Sequence, residues 1–138
     1  MAVEELDVVG PWPKFAGKTM NQLFAQESWF EGELDDEANV VWLQVDGAWN
    51  RLYFDSEIVY WKTESSGPPP MPSTPDEAAG FSLRDLGTKF GIAGRPIASV
   101  DGGWVEEASE ITLRFADGAT LTFRNRFDTT SVSLTQGN

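Results

Sequence analysis

The sequence predicts an α+β, mainly β fold in which two units, each a helix followed by a three-stranded antiparallel meander, pack together as one domain. Two observations support this prediction: the same order of strands and tight turns occurs in both halves, and a proline-rich segment separates them. The chain has 138 residues, the usual size of one domain. We therefore expect a single domain over 1–138, with pseudo-repeat halves at 18–63 and 82–135 joined by a proline-rich loop at 64–77.

The first unit is predicted to begin with a helix at 18–26, where Met20, Leu23 and Phe24 have the spacing of one helix face. A meander follows, with strands at 40–45, 51–54 and 58–61. The first two strands are joined by Asp46-Gly47, a pair that suits a two-residue hairpin because its backbone accepts positive φ. The turn at 55–57 joins the second strand to the third.

The second unit repeats this order. Its predicted helix spans 82–90, with Ser82 as N-cap and Gly91 at the C-terminal end. Its predicted strands lie at 111–115, 120–124 and 131–134, with Asp117-Gly118 as the first turn and a bend at 127–129 as the second.

The two meanders differ in the faces they present. The second alternates apolar and polar residues, which predicts one buried and one solvated face. The first also carries Trp42, Tyr53 and either Tyr60 or Trp61 out of phase with its inner residues, so it is apolar on both sides. Something must cover the second side: the N-terminal segment, the proline loop, the other half of the chain or a partner.

Composition narrows the classes of function. A net charge of −12 and a pI near 4.2 disfavour binding to nucleic acid or to an anionic membrane, and favour a basic protein partner. The apolar runs are far shorter than the roughly 20 residues of a membrane helix. The acidic N-terminus is followed by no apolar signal region, so we expect a cytoplasmic protein.

The residue types that most enzymes use are missing. The chain contains neither histidine nor cysteine, which removes the commonest general base, thiol nucleophiles and the commonest metal ligands. Carboxylates around Trp104 could in principle form a glycosidase pair, but this many acids fall near tryptophans by chance. We therefore predict a protein that is not an enzyme and has no cofactor and no metal site.

The densest acidic segment, residues 27–37, allows three interpretations: a solvated loop, an oxygen-ligated cation site, or a docking surface. Its Asp35-Asp36-Glu37 run lacks the spacing of a calcium loop. Protein interfaces combine central aromatic residues with a charged rim. We predict a partner-binding surface made of two groups, the acids Glu31, Glu33, Asp35 and Asp36 and the aromatic residues Trp42, Tyr53, Tyr60 and Trp61.

A resemblance supports this prediction. The C-terminal string Glu110–Asp128 resembles the closing hairpin of several immunity proteins of bacterial polymorphic toxin systems, and the Tyr60-Trp61 strand is similar in character. The resemblance implies a protein that neutralises a cognate toxin, often a basic nuclease, by occluding its active site. It assigns no binding residue.

Two other functions fit the sequence. A small-ligand-binding module would enclose a pocket lined by Trp42, Tyr53, Tyr60 and Trp61 between the two meanders. A homodimerising structural module would instead use its exposed aromatic residues to close a two-fold interface.

Overall fold

The computed structural model describes residues 6–69 and 79–136. It contains ten strands and one short helix, in this order: β1 (Val8–Val9), β2 (Thr19–Phe30), β3 (Glu33–Val45), β4 (Ala48–Asp55), β5 (Ile58–Glu64), β6 (Ala79–Asp85), α1 (Leu86–Lys89), β7 (Arg95–Val105), β8 (Ala108–Phe115), β9 (Thr120–Arg126) and β10 (Thr129–Thr135). The predicted α+β class is therefore wrong, because the described chain is nearly all β.

All ten strands belong to one sheet, with the order β1-β5-β4-β3-β2-β7-β8-β9-β10 and with β6 also paired to β2. The strand β2 has two partners on its second edge: β7 pairs at Thr19 and Met20, and β6 pairs from Phe24 to Phe30. Each half of the chain is thus a four-stranded antiparallel meander, β2 to β5 and β7 to β10. The three strands predicted for each meander are present within these.

The sheet curls so that its two halves share one hydrophobic core. Four strands separate β3 from β10 in the sheet order, yet the Thr130 amide of β10 donates a hydrogen bond to the Asp36 carboxylate of β3. A single apolar cluster joins Leu43 and Leu52 of the first meander to Leu113 and Phe123 of the second. These side chains are fully buried, so the space between the two meanders is filled by their own residues.

A β-bulge explains why the first predicted helix is a strand. The register of β2 against β3 shifts between Met20 and Gln22. The shift lets Met20, Leu23 and Ala25 all point into the core, although a regular strand would put Met20 and Leu23 on opposite faces. An interval of three residues between buried side chains therefore imitates helical spacing, and Phe24 faces the other side of the sheet.

The second predicted helix is shortened to four residues by strand pairing. Residues 79–85 form β6 on the free edge of β2, and α1 covers only Leu86–Lys89. The N-cap is Asp85, whose carboxylate accepts a hydrogen bond from the Thr88 amide at 3.0 Å, and is not Ser82. Gly91 has a φ of +66° just beyond the helix. No helix in the described residues is long and apolar enough to cross a membrane.

Two-residue turns with positive φ join most of the sequential strands. The Asp46-Gly47 turn is present as predicted, but three others place non-glycine residues at both turn positions: Ser56-Glu57, Glu106-Glu107 and Phe127-Asp128. Positive φ at both positions defines the turn that matches strand twist, and Asn-Gly is the pair that adopts it most readily. The Glu106-Glu107 turn therefore carries backbone strain, with φ of 51° and 63°.

Replacing this pair by Glu106→Asn with Glu107→Gly should raise the free energy of unfolding by about 1 kcal/mol, which corresponds to about 3–5 °C in Tm. The ion pairs lost, Arg124–Glu106 at 4.0 Å and Arg126–Glu107 at 3.7 Å, involve exposed side chains and contribute little. Thermal unfolding measures the change. The matched control, Glu106→Gln with Glu107→Gln, removes the same charges without relieving the backbone. Equal Tm values for the two variants would contradict the strain argument.

Candidate protein-docking surface

The β2–β3 hairpin ends in an exposed tip, which we define as residues 30–35 together with Phe81 of β6. The turn pair Glu31-Gly32 has positive φ at both positions, as a two-residue hairpin requires. Phe81 pairs with Ser28, so it lies on the same face of the sheet as Phe30, two residues along β2. Leu34 pairs with Trp29 on the opposite face.

Three large apolar side chains of this tip are open to solvent. Phe30 is 56% exposed, and Leu34 and Phe81 are each 44% exposed. Large exposed apolar groups that cluster on a soluble protein mark interaction sites more often than chance. The tip concentrates them within one hairpin and the strand beside it.

The acidic residues of the tip are exposed and have no basic neighbour. Glu31, Glu33 and Asp35 are all exposed, and within the described part of the chain no lysine or arginine nitrogen lies within 4.0 Å of their carboxylates. The negative potential of the tip is therefore not cancelled locally. The tip combines apolar contact area with unneutralised negative charge.

A hydrogen-bond network fixes the base of the tip. The Trp29 indole Nε1 donates to the Ser82 hydroxyl at 2.8 Å, and that hydroxyl donates to the Glu27 carboxylate at 2.9 Å. Arg84 approaches the same carboxylate at 3.5 Å. Because these groups join β2 to β6, Phe30 and Phe81 are presented by two strands that are locked side by side.

Asp36 differs from the other acids because it is buried, with 6% of its surface exposed. Its Oδ1 accepts hydrogen bonds from the Ala38 amide at 2.9 Å and from the Thr130 amide at 3.3 Å. The neighbouring Glu37 carboxylate accepts from the Val132 amide. The two acids therefore attach β3 to β10, and the sequence-based assignment of Asp36 to a partner surface does not agree with its burial.

Burial raises the pKa of Asp36 above its ordinary value of 3.8. The hydrogen bonds from the Ala38 and Thr130 amides lower it in part, and the charges of Asp35 and Glu37 raise it further. A folded-state pKa above the unfolded one means that the folded protein binds the proton more tightly. The contribution of Asp36 to the free energy of unfolding is therefore fully present below about pH 3.8, and it is lost as the pH rises through the raised pKa.

The four predicted aromatic residues do not form one site. Trp42 and Trp61 are buried, at 6% and 4% exposure, and they lie on opposite faces of the sheet. Tyr53 and Tyr60 are half-buried on the outer face, stacked with ring centroids 4.7 Å apart. Because the sheet separates Trp61 from the other three residues, these side chains cannot line the common pocket that the small-ligand alternative required.

Part of the proline segment covers the outer face of the first meander. Ser66 and Pro68 lie in a shallow depression beside Trp42 and Arg51, and a Cβ on Gly67 would lie 2.7 Å from the Trp49 ring. The rest of the predicted loop, 70–77, lies outside the described residues. The proline loop, one of the segments that we expected could cover the second side of the first meander, therefore lies over Trp42 and Trp49.

Three apolar contributors to the tip, Phe30, Leu34 and Phe81, were absent from the sequence-based site, and Leu34, like Phe30, belongs to the acidic segment 27–37. Phe30 lies within the densest acidic segment, so its place in the tip could have been predicted from the sequence. Phe81 joins it only through the pairing of β6 with β2, more than 50 residues away along the chain. Within the described residues no group of three or more acidic side chains is arranged to hold a metal ion.

Changing Asp36 to Asn should leave the protein as stable at pH 7 or make it more stable, because the amide oxygen can accept the same two hydrogen bonds without a buried charge. The difference from the unchanged protein should shrink as the pH falls towards 4. Asp36→Ala should lower the free energy of unfolding by about 1–3 kcal/mol, since the Thr130 amide loses its acceptor. Urea unfolding of the unchanged protein and of both variants between pH 4 and pH 7 measures these free energies. Equal losses of stability in Asp36→Asn and Asp36→Ala at pH 7 would contradict the account.

Comparison with known proteins gives no family for this chain. No protein-family model matches it, and neither a curated protein nor a solved structure shows significant similarity to it. What the tip can do is therefore argued from its own residues: apolar side chains, exposed carboxylates and a rigid base.

Proposed function

We propose that this chain is a non-catalytic binding protein that docks a basic protein through the β2–β3 tip, and that it acts as an immunity protein which occludes its partner. The observation that carries the proposal is the coincidence, in one hairpin, of exposed Phe30, Leu34 and Phe81 with unneutralised Glu31, Glu33 and Asp35. The resemblance of the C-terminal hairpin to toxin-immunity proteins supports the class of partner.

Ion pairing distinguishes the acids of the tip from many of the other acids on the surface. Every arginine of the chain approaches a carboxylate within 4.0 Å, so much of the acidic surface elsewhere is partly compensated. The net charge of −12 attracts a basic protein at long range, and the tip is where its final contact would meet uncompensated acids. The field steers the encounter, and the phenylalanines supply the desolvated centre.

The same charge argues against a homodimer built on the tip. A two-fold interface would bring two copies of Glu31, Glu33 and Asp35 together, and like charges held close in an interface cost several kcal/mol. A specific complex buries about 800 Å² on each partner and uses about 20–30 residues a side, far more than the few residues of the tip. The half-exposed Tyr53–Tyr60 stack on the same sheet is available to extend the contact.

The role of charge at the tip is tested in a binding experiment. The partner is the protein encoded by the gene directly upstream, because an immunity gene normally follows the gene of its toxin. Charge reversal by Glu31→Lys, Glu33→Lys and Asp35→Lys should slow association at least about tenfold at low salt, and less at high salt. Stopped-flow mixing at two ionic strengths measures the rate constant. The control reverses Glu57, Glu106 and Glu107, three exposed turn residues that do not belong to the tip, with the same change in net charge. Equal slowing by both variants, or no association at all, would refute the proposal.

The apolar part of the tip is tested by dissociation. Phe30→Ala and Phe81→Ala should each weaken the complex by about 1–3 kcal/mol, mainly through faster dissociation, because truncation leaves the centre of the contact unfilled. Phe127→Ala is the matched control, since Phe127 is more exposed than either but lies in the β9–β10 turn. Loss of affinity in the Phe127 variant with none in the tip variants would contradict the proposal, because it would place the contact outside the tip.

A further inference from the structure

The strand β6 has a second edge that is free within the part of the chain that the structure describes. All seven residues of β6 pair with β2, without a register shift. Across 6–69 and 79–136, β6 pairs with no other strand, and no amide or carbonyl of residues 79–84 takes part in any other backbone hydrogen bond. Backbone groups of neighbouring residues in a strand point to opposite sides, so three or four residues of β6 direct their N–H and C=O groups away from β2.

The two ends of the sheet are protected against strand addition, and β6 is not. Natural edge strands are kept from pairing with other molecules by shortness, bulges, proline or charged side chains. At one end of the sheet, β1 has only two residues. At the other end, the amides of Thr130 and Val132 in β10 donate to carboxylates of β3. β6 has the length of an ordinary strand and contains neither a bulge nor a proline.

The charged side chains of β6 are engaged elsewhere, so they do not guard the free edge. The Arg84 guanidinium reaches back to β2, where it lies 3.5 Å from the Glu27 carboxylate. The Asp85 carboxylate caps α1. On the outer face of β6, Phe81 is 44% exposed and Leu83 is half-buried. A strand added to this edge would therefore place alternate side chains beside two apolar residues.

The free edge runs directly into the tip. The first residue of β6, Ala79, pairs with Phe30, the last residue of β2 before the hairpin turn. The exposed acids Glu31 and Glu33 follow at that end. Seven residues of strand extend over about 23 Å, which adds a long contact to the few residues of the tip. In strand addition, main-chain hydrogen bonds supply affinity and the alternate side chains supply specificity.

We propose that an extended segment of the basic partner adds to the free edge of β6 and continues the sheet beyond β2. This inference rests on the proposed function, since it gives the partner of the tip its second contact. The added strand packs apolar side chains beside Phe81 and Leu83 and carries basic residues at the end that meets Glu31 and Glu33. A second copy of this chain is a poorer occupant, because two chains of net charge −12 repel each other.

The backbone pairing is tested by hydrogen exchange of the ¹⁵N-labelled chain, alone and with the unlabelled protein encoded by the gene directly upstream. In the free chain, the amides of β6 that are bonded to β2 should exchange slowly and the alternate ones fast. In the complex, the fast amides should slow at least about tenfold and show NOEs to backbone protons of the partner. The amides of Glu106 and Glu107, exposed turn residues outside β6, are the control and should keep their rates.

The outcomes separate this inference from the proposed function. A complex that the tip variants weaken, but in which β6 amides keep their rates or show no backbone NOEs to the partner, would overturn this inference alone. No association would refute both. Slowing of the same amides in the free chain at high concentration, with a dimer mass by light scattering, would assign the edge to a second copy and overturn the proposal.

Proline at adjacent positions tests the outward amides separately from those bonded to β2. Leu83→Pro and Arg84→Pro each remove one amide, and one of these two amides points outward. The outward variant should unfold within about 5 °C of its matched control, Leu83→Ala or Arg84→Ala, yet bind the partner at least about tenfold more weakly. The other proline should lower Tm further, because it breaks a bond to β2. Equal affinity of the outward proline variant and its alanine control would overturn the proposal.

Discussion

The two different edges of β2 are the constraint on which the rest of the structure depends. One edge pairs with β3 along most of its length, and the other is divided between β7 at Thr19 and Met20 and β6 from Phe24 onward. The pairing with β7 joins the two meanders into one sheet, and the pairing with β6 carries Phe81 to the side of Phe30. The bulge after Met20 makes this possible, because it turns Met20 and Leu23 to the same core. Both the shared interior and the exposed tip follow from this one strand.

Local patterns in the sequence located the strands of the two meanders, since Asp46-Gly47 and alternating residues such as Ile111, Leu113 and Phe115 are local signals. These local patterns gave wrong predictions where a strand is irregular or where its contacts come from a distant part of the sequence. The spacing of Met20 and Leu23 is equally consistent with a helix face and with a bulged strand, and only pairing to β3 decides between them. The exposed acids Glu31, Glu33 and Asp35 could be predicted from their density. The burial of Asp36 could not, because its partner amide at Thr130 belongs to the last strand of the chain.

Charged residues are distributed unevenly between the two ends of β3. Acids without a basic partner stand at the end that begins with Glu33, and three of the four lysines belong to the residues around the end that reaches Val45. Nothing in the sequence brings Lys14, Lys18 and Lys62 together, because they come from the segment before β2 and from β5.

The outer edge of β10 shows what the buried carboxylates achieve beyond holding two strands together. The amides of Thr130 and Val132 point away from β9, and each donates to a side chain of β3, to Asp36 and Glu37 respectively. A free row of amides is what a strand from a second molecule needs in order to add to a sheet, and these two are already occupied by anions. The outer strand β10 is in this way made a poor template for fibril growth.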